Sequence, residues 1–175
     1  MPRKYDEIKN AVLKDVAELM CVTARTAPKT RGQDNLVITI LIGVEKQKVI
    51  KQMKLIARRD TRPSFQRDAE SIKDTDHIVV LATKRKILGL NCGFCGYKNC
   101  AELEKSKGVC AYNSMDLGIA LGSSVALAAR LHIDNRIMYS IGRAAIEAGI
   151  LGKGVISAIG IPLSATGKNP FFDRK

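Results

Sequence analysis

The spacing of apolar residues along the chain first predicts an N-terminal helix. Between residues 5 and 26 apolar side chains recur at helical spacing, and Pro28 interrupts the pattern. This spacing places side chains on one face of an α-helix, and the residue before a proline avoids helical backbone angles. We therefore predict an amphipathic helix over about residues 5–26, whose apolar face carries Ile8, Val12, Val16, Leu19, Met20 and Thr23.

Three apolar runs predict buried strands. Leu36 to Val44 reads LVITILIGV, and His77 to Ala82 reads HIVVLA, both nearly continuous and rich in β-branched residues. The last run, VISAIGIPL, begins at Val155. Such runs are typical of strands that are covered on both faces of a sheet.

Between these runs apolar residues return to helical spacing, which predicts helices over about residues 45–59, 113–131 and 136–148. No internal repeat, low-complexity segment or linker divides the chain. Helices that alternate with a few strands predict an α+β sandwich, and we expect residues 1–175 to form a single domain.

Charge and composition narrow the function classes. The chain has 175 residues, is 46% hydrophobic and carries a net charge of +12. A basic protein attracts anionic partners, among them nucleic acid, anionic cofactors and acidic redox proteins. Nucleic-acid binding is disfavoured, because the chain has no Trp and its four Tyr and four Phe are not interleaved with basic residues.

The ends and apolar stretches of the chain bear on its location. The N-terminal segment MPRKYDEIKN lacks the apolar core of a signal peptide. The longest uncharged apolar stretch, Leu117 to Ala129, is too short to span a bilayer. We therefore expect a cytoplasmic protein without a membrane segment.

Four of the five cysteines are gathered in one short segment, at Cys92, Cys95, Cys100 and Cys110. A [4Fe-4S] cluster takes four thiolate ligands, and closely spaced cysteines in one loop supply them. Gly93 and Gly96 follow the first two cysteines, and we expect positive φ angles there, where the backbone turns around a cluster. This spacing predicts one four-iron cluster in the loop of residues 90–111.

Zinc is the alternative metal, because four-cysteine sites also form structural zinc staples. Such sites are usually built from two separated pairs, whereas here three cysteines are close together and Cys110 stands apart. Unliganded thiols or disulfides remain a third interpretation. Cys21 is left over, and a buried thiol on a helix face accounts for it. His77 and His132, the two histidines, lie outside the loop.

Longer blocks of sequence carry a resemblance to known families. The segment CGFCGYKNCAE resembles a cluster-binding motif of carbon monoxide dehydrogenase/acetyl-CoA synthase subunits and of some membrane-linked electron transport proteins. The blocks ARTAPKTRGQDNL, MDLGIALGSSVALAARLHIDNRIMYSIGRAA and IPLSATGKNPFFDRK resemble prokaryotic proteins described as containing a ferredoxin domain. The same blocks resemble, more distantly, the flavin-dependent nitroreductases.

The resemblance implies a nitroreductase-like α+β helix/sheet sandwich with an inserted cysteine-rich loop. It also implies a homodimer whose seam lies on the helix rich in small residues, and FMN as a second cofactor. The basic loop after the first helix suits a phosphate by its residue types. The residues that would hold FMN are Arg25, Lys29, Arg31, Asn35, Arg136, Lys168 and Arg174. The competing interpretation is that Asp134 or Asn135 caps the following helix and that the arginines are surface charges.

The sequence therefore predicts an iron-sulfur redox protein that acts in electron transfer or as an FMN-dependent oxidoreductase. The alternative is a non-enzymatic protein in which a cluster or zinc only pins the loop. We expect an acidic electron carrier as a partner, because basic residues flank the cysteines at Lys84, Arg85, Lys86, Lys98, Lys105 and Lys107.

Overall fold

The computed structural model describes residues 2–172 and contains six α-helices and four strands within that range. In chain order the elements are α1 (Tyr5–Thr26), β1 (Leu36–Leu41), α2 (Gly43–Arg59), α3 (Pro63–Ser71), β2 (Ile78–Lys84), α4 (Cys100–Lys105), α5 (Ala111–Arg130), β3 (Asp134–Asn135), α6 (Tyr139–Glu147) and β4 (Val155–Ser164). A single 3-10 turn, Thr30–Gly32, lies between α1 and β1.

The strands form one antiparallel sheet in the order β1-β2-β4-β3. The register places Leu36 beside Thr83 and Thr83 beside Ser157 at one end of the sheet. At the other end Asp134 lies beside Ser164. Different loops therefore border the two ends of the sheet.

Helices cover both faces of the sheet. Helices α2, α3 and α6 form one apolar layer with Ile78, Val80 and Ala82 of β2. Helices α1 and α5 form the other layer with Val79 and Leu81. Side chains of a strand alternate between faces, so β2 needs apolar residues at every position to fill both layers. The predicted α+β sandwich is confirmed.

Several predicted elements need correction at their ends. The predicted first strand runs too far, because Gly43 has a φ of +47° and begins α2 directly after Ile42. Helix α6 begins at Tyr139 and not near Arg136, since Met138 instead pairs with Gly160 of β4. The prediction that Asp134 or Asn135 caps this helix is wrong, because Met138 occupies the N-cap. Helices α3 and α4 were not predicted.

The buried face of α1 also differs from the predicted one. Val16 and Met20 are buried as expected, but Ile8, Val12 and Leu19 are each at least 40% exposed. The helix packs on the sheet through Leu13, Val16, Ala17, Met20 and Ala24. A second apolar stripe therefore faces away from the core.

No helix within residues 2–172 combines the length and the apolar character needed to cross a membrane.

Helix α6 packs directly against the backbone of β4 at Gly142. A Cβ atom added there would lie 1.7 Å from the Ala158 carbonyl oxygen, a contact that only backbone movement can relieve. We predict that Gly142→Ala lowers the free energy of unfolding by about 3 kcal/mol. Chemical denaturation of the purified protein measures this change.

Gly118→Ala in α5 is the matched control, because within residues 2–172 nothing apart from the adjoining helix backbone lies within 4 Å of its added Cβ. In protein dilute enough to be monomeric, alanine should replace this glycine with a gain of up to about 1 kcal/mol. An equal response of the two variants would contradict the close packing of α6 on β4.

Candidate functional site

The cysteine-rich segment, or cysteine insertion, comprises residues 85–110 between β2 and α5. Hydrogen bonds attach it to the neighbouring elements. Its first residues extend from Lys84, where the Arg85 N–H donates to the Gly154 carbonyl at 2.9 Å. The Arg85 Nε donates to the Gly108 carbonyl at 3.0 Å, and the Lys86 N–H donates to Asn113 Oδ1 at 3.2 Å. These three bonds hold the root of the segment at one end of the sheet.

The middle of the segment has the backbone shape expected from its glycines. Gly93 and Gly96 have φ angles of +74° and +80°, as predicted, and the Gly96 N–H closes a turn on the Gly93 carbonyl. Asn91 also lies in the left-handed region and bridges to Cys100. Its N–H donates to Cys100 Sγ at 3.3 Å, while its Oδ1 accepts from the Cys100 N–H at 2.9 Å.

The four cysteines of the segment differ in burial. Cys110 is buried beside Leu88 and Leu103, Cys95 and Cys100 are half-buried, and Cys92 is exposed. All four are free thiols. Within residues 2–172 no three Cys, His, Asp or Glu side chains are placed to hold one metal ion. Four thiols are donors that suit a cluster or a zinc ion, but in this conformation the sulfurs are not gathered around one metal position.

The loop that follows α1, residues 27–35, begins with Ala27 and Pro28 and carries the basic residues Lys29 and Arg31. This Ala-Pro loop lies directly against the cysteine-rich segment. Asp116 of α5 is buried and accepts from the Thr30 N–H at 3.1 Å and from the Thr30 hydroxyl at 2.8 Å. Next to it, Arg31 donates through Nη1 to the Leu88 carbonyl at 2.8 Å. The basic loop and the cysteine segment are thus joined four residues before Cys92.

The other basic residues of the loop bind protein acceptors. Arg25 pairs with Asp34 at 2.5 Å and donates to the Leu36 carbonyl. Lys29 donates to three carbonyls at the C-terminal end of α1, those of Ala24, Arg25 and Ala27. Both side chains therefore shape the loop and satisfy carbonyls that a helix end leaves unpaired.

Asn35 has an unpaired group. The backbone carbonyl of Asn35 accepts from the Lys84 N–H. The buried side-chain Nδ2 has no hydrogen-bond partner among the described residues. A buried polar atom without a partner is uncommon and points to an acceptor supplied from elsewhere.

The remaining predicted flavin residues lie at the opposite end of the sheet. Arg136 donates to the Phe171 carbonyl at 2.7 Å and stacks on Phe172, and Lys168 is exposed. Arg174 lies outside the described residues. β4 advances seven residues from Ser157 to Ser164 at about 3.3 Å each, so the two ends of the sheet are roughly 23 Å apart in one chain.

Sequence reasoning missed Asn113 and Asp116, both buried polar residues of α5. The available signal was a pair of polar residues three positions apart in a helix that is otherwise rich in small apolar residues. Such a pair on the buried face must meet hydrogen-bond partners, here Lys86 and Thr30.

Comparisons with known proteins agree with this architecture. A family profile described as "Uncharacterized protein containing a ferredoxin domain (DUF2148)" matches residues 106–174, a range that includes Cys110. An "Uncharacterized protein" from Archaeoglobus fulgidus is 41% identical over 177 residues, which cover 96% of this chain and 95% of the relative.

Solved structures share the fold at low sequence identity. A nitroreductase with bound FMN from Desulfitobacterium hafniense superposes with a TM-score of 0.60 at 13% identity, over 96% of this chain and 80% of its own. The nitroreductase CinD from Lactococcus lactis, in complex with nicotinic acid, gives a TM-score of 0.61 at 14% identity, over 91% and 84%. These likenesses confirm the predicted nitroreductase-like fold.

Asp116 fixes the loop that borders the cysteine segment, and its removal tests this arrangement. We predict that Asp116→Ala lowers the free energy of unfolding by about 1.5 to 3 kcal/mol, because two half-buried donors of Thr30 lose a charged acceptor. The Thr30 amide should also exchange with deuterium faster. Asp15→Ala, at an exposed position of α1, is the control. Unchanged protection of the Thr30 amide would contradict the contact.

Proposed function

Because the chain belongs to the family of proteins described as containing a ferredoxin domain (DUF2148) and has the nitroreductase fold, we propose that it is an iron-sulfur redox protein. One [4Fe-4S] cluster would be held by Cys92, Cys95, Cys100 and Cys110. One observation carries this proposal. The cysteine insertion holds four free thiols, and it is attached at the end of the sheet where the Ala-Pro loop also lies.

The surroundings of the thiols support a cluster. Cys110 is the N-cap of α5, where the helix dipole favours negative charge, and the Asn91 N–H already contacts Cys100 Sγ. Exposed lysines flank the insertion at Lys84, Lys86, Lys98, Lys105 and Lys107. Their charges offset that of a four-thiolate cluster and favour an acidic electron carrier as the partner.

The bound cluster would supply one-electron transfer. The residues of this chain then have separate tasks. Asn91 orients Cys100, the Arg85 and Lys86 bonds fix the root of the insertion, and Leu88 and Leu103 cover Cys110 from water. Cys92, which is exposed, would supply the ligand nearest the surface.

FMN is the second cofactor that we propose, at a site shared by two chains. Arg31 and Asn35 lie at one end of the sheet, and Arg136 and Lys168 lie at the other, so one chain alone does not bring them together. A homodimer that places the C-terminal segment of one chain against the basic loop of the other would do so. The unpaired Asn35 Nδ2 supports a ligand at this loop.

The surface of α1 and α5 supports such a homodimer. The exposed apolar stripe of α1 is formed by Tyr5, Ile8, Val12, Leu19 and Val22. On α5, Met115 and Ile119 are about half-exposed beside Gly118 and Gly122, which leave room for close backbone approach. Exposed apolar patches of this kind mark protein interfaces.

With both cofactors bound, the protein would act as a flavin-linked oxidoreductase. A flavin exchanges two electrons as hydride, and a cluster passes them on one at a time. The Arg31 contact to Leu88 places the loop for the flavin next to the insertion for the cluster. We place the protein in the cytoplasm, where thiols stay reduced.

One observation favours a second candidate function, a non-enzymatic metal-binding protein. Arg25, Lys29, Arg31 and Arg136 all donate to protein carbonyls or carboxylates in this conformation, as purely structural residues would. In that case a cluster or a zinc ion would only stabilise the insertion.

Ligand replacement tests the assignment of the cluster. We predict that Ser at position 92, 95, 100 or 110 reduces iron and acid-labile sulfide per chain after anaerobic expression, because each position supplies one of four thiolates. Cys21→Ser is the matched control and should retain the metal, since Cys21 is half-buried on α1, away from the insertion. Full iron occupancy in the Cys100→Ser variant would refute the ligand set.

Flavin titration tests the shared site. We predict that FMN binds a dimer and that Arg31→Ala weakens binding about tenfold or more, because a charge-assisted hydrogen bond contributes about 1.5 to 3 kcal/mol. Fluorescence titration with mass measurement in solution gives both quantities. Arg58→Ala on α2 is the control. A monomer that binds no FMN would contradict the shared flavin site, and only the proposed cluster would remain.

A further inference from the structure

Buried nitrogen donors without acceptors are concentrated at the root of the cysteine insertion. Within residues 2–172, four buried side-chain atoms have no hydrogen-bond partner, and three of them belong to Asn35, Arg85 and Asn113. All three residues contact the stretch from Lys84 to Lys86 or belong to it. Their unpaired atoms are all N–H donors that no acceptor among the described residues reaches.

Asn113 is held in one orientation by its other contacts. The residue is 1% exposed and lies in the first turn of α5, three positions after Cys110. Its backbone N–H donates to the Cys110 carbonyl at 3.0 Å, and its Oδ1 accepts from the Lys86 N–H. Because Oδ1 must face that N–H, the amide cannot turn over, and Nδ2 stays without a partner. An unpaired buried donor destabilises a fold unless a ligand satisfies it.

Arg85 presents a second unpaired donor near another cysteine. Its Nε is bound to the Gly108 carbonyl, while its buried Nη2 has no partner. The residue lines a cavity of about 370 Å³ together with Lys86, Cys100 and Glu104. A guanidinium group is always charged at neutral pH, so an anionic acceptor suits its free donor, and the Glu104 carboxylate does not reach Nη2.

We propose that Asn113 Nδ2 and Arg85 Nη2 donate hydrogen bonds to sulfur atoms of the cluster and raise its reduction potential. The inference rests on the proposed function, because the cluster supplies the sulfur acceptors. Reduction adds one electron and makes the cluster more negative, so N–H donors stabilise the reduced form more than the oxidised form. Both residues are positioning residues; the thiolates remain the ligands.

The test is a redox titration of the full chain reconstituted anaerobically with iron and sulfide, with dithionite as the reductant and electron paramagnetic resonance as the readout. Asn113→Asp keeps the acceptor for Lys86 but replaces the free donor with an acceptor. Arg85→Lys keeps the charge but removes the guanidinium donors. We expect each change to disfavour reduction about tenfold, which for a one-electron couple lowers the potential by about 59 mV.

Asn10→Asp is the charge-matched control for Asn113→Asp. Asn10 is exposed on α1, a helix whose Tyr5 contacts Ala165 beyond the far end of β4, and its variant should keep the wild-type potential. If Asn113→Asp does not fold or load, Arg85→Lys decides the question. Wild-type potentials in the loaded variants would overturn the inference and leave water as the partner of these donors. A wild-type chain that takes up no iron and sulfide would overturn the cluster assignment itself.

Discussion

The burial of β2 between two helical layers is the constraint on which the rest of the structure depends. Every residue from Ile78 to Thr83 is buried, and each neighbour in the sheet pairs with this strand along its length. Its end at Lys84 is therefore rigid, and the cysteine insertion starts from that point. A loop that begins on such a support can hold reactive side chains in place although most of its own residues are exposed.

The same end of the sheet collects the polar features that the core cannot satisfy. Asp116 holds the Ala-Pro loop from the helical side, and Arg31 ties that loop to Leu88. Unpaired donors remain on Arg85, which lines a cavity with Cys100, and on Asn113, whose N–H contacts the Cys110 carbonyl. Natural proteins pair nearly all buried polar groups, so these donors support the proposed cluster at this end of the sheet. They are an observation separate from the cysteine spacing.

The sequence predicted what depends on local patterns. The apolar runs identified β1, β2 and β4, the glycine positions anticipated the positive φ angles at Gly93 and Gly96, and the longer blocks indicated the nitroreductase-like fold. The sequence could not show which stripe of α1 is buried, because both stripes are apolar. Leu13 and Ala17 are buried because that side of the helix packs against the sheet. The pairing of Arg31 with Leu88 spans 57 positions and depends on tertiary contact alone.

Native mass spectrometry of the anaerobically purified wild-type protein distinguishes a bound cluster from zinc and from a metal-free chain, because it weighs metal, sulfide and subunits together. We predict a mass increase equal to one four-iron, four-sulfide cluster per chain. A chain that carries no added mass under these conditions, or one that carries the mass of a single zinc ion, would contradict it.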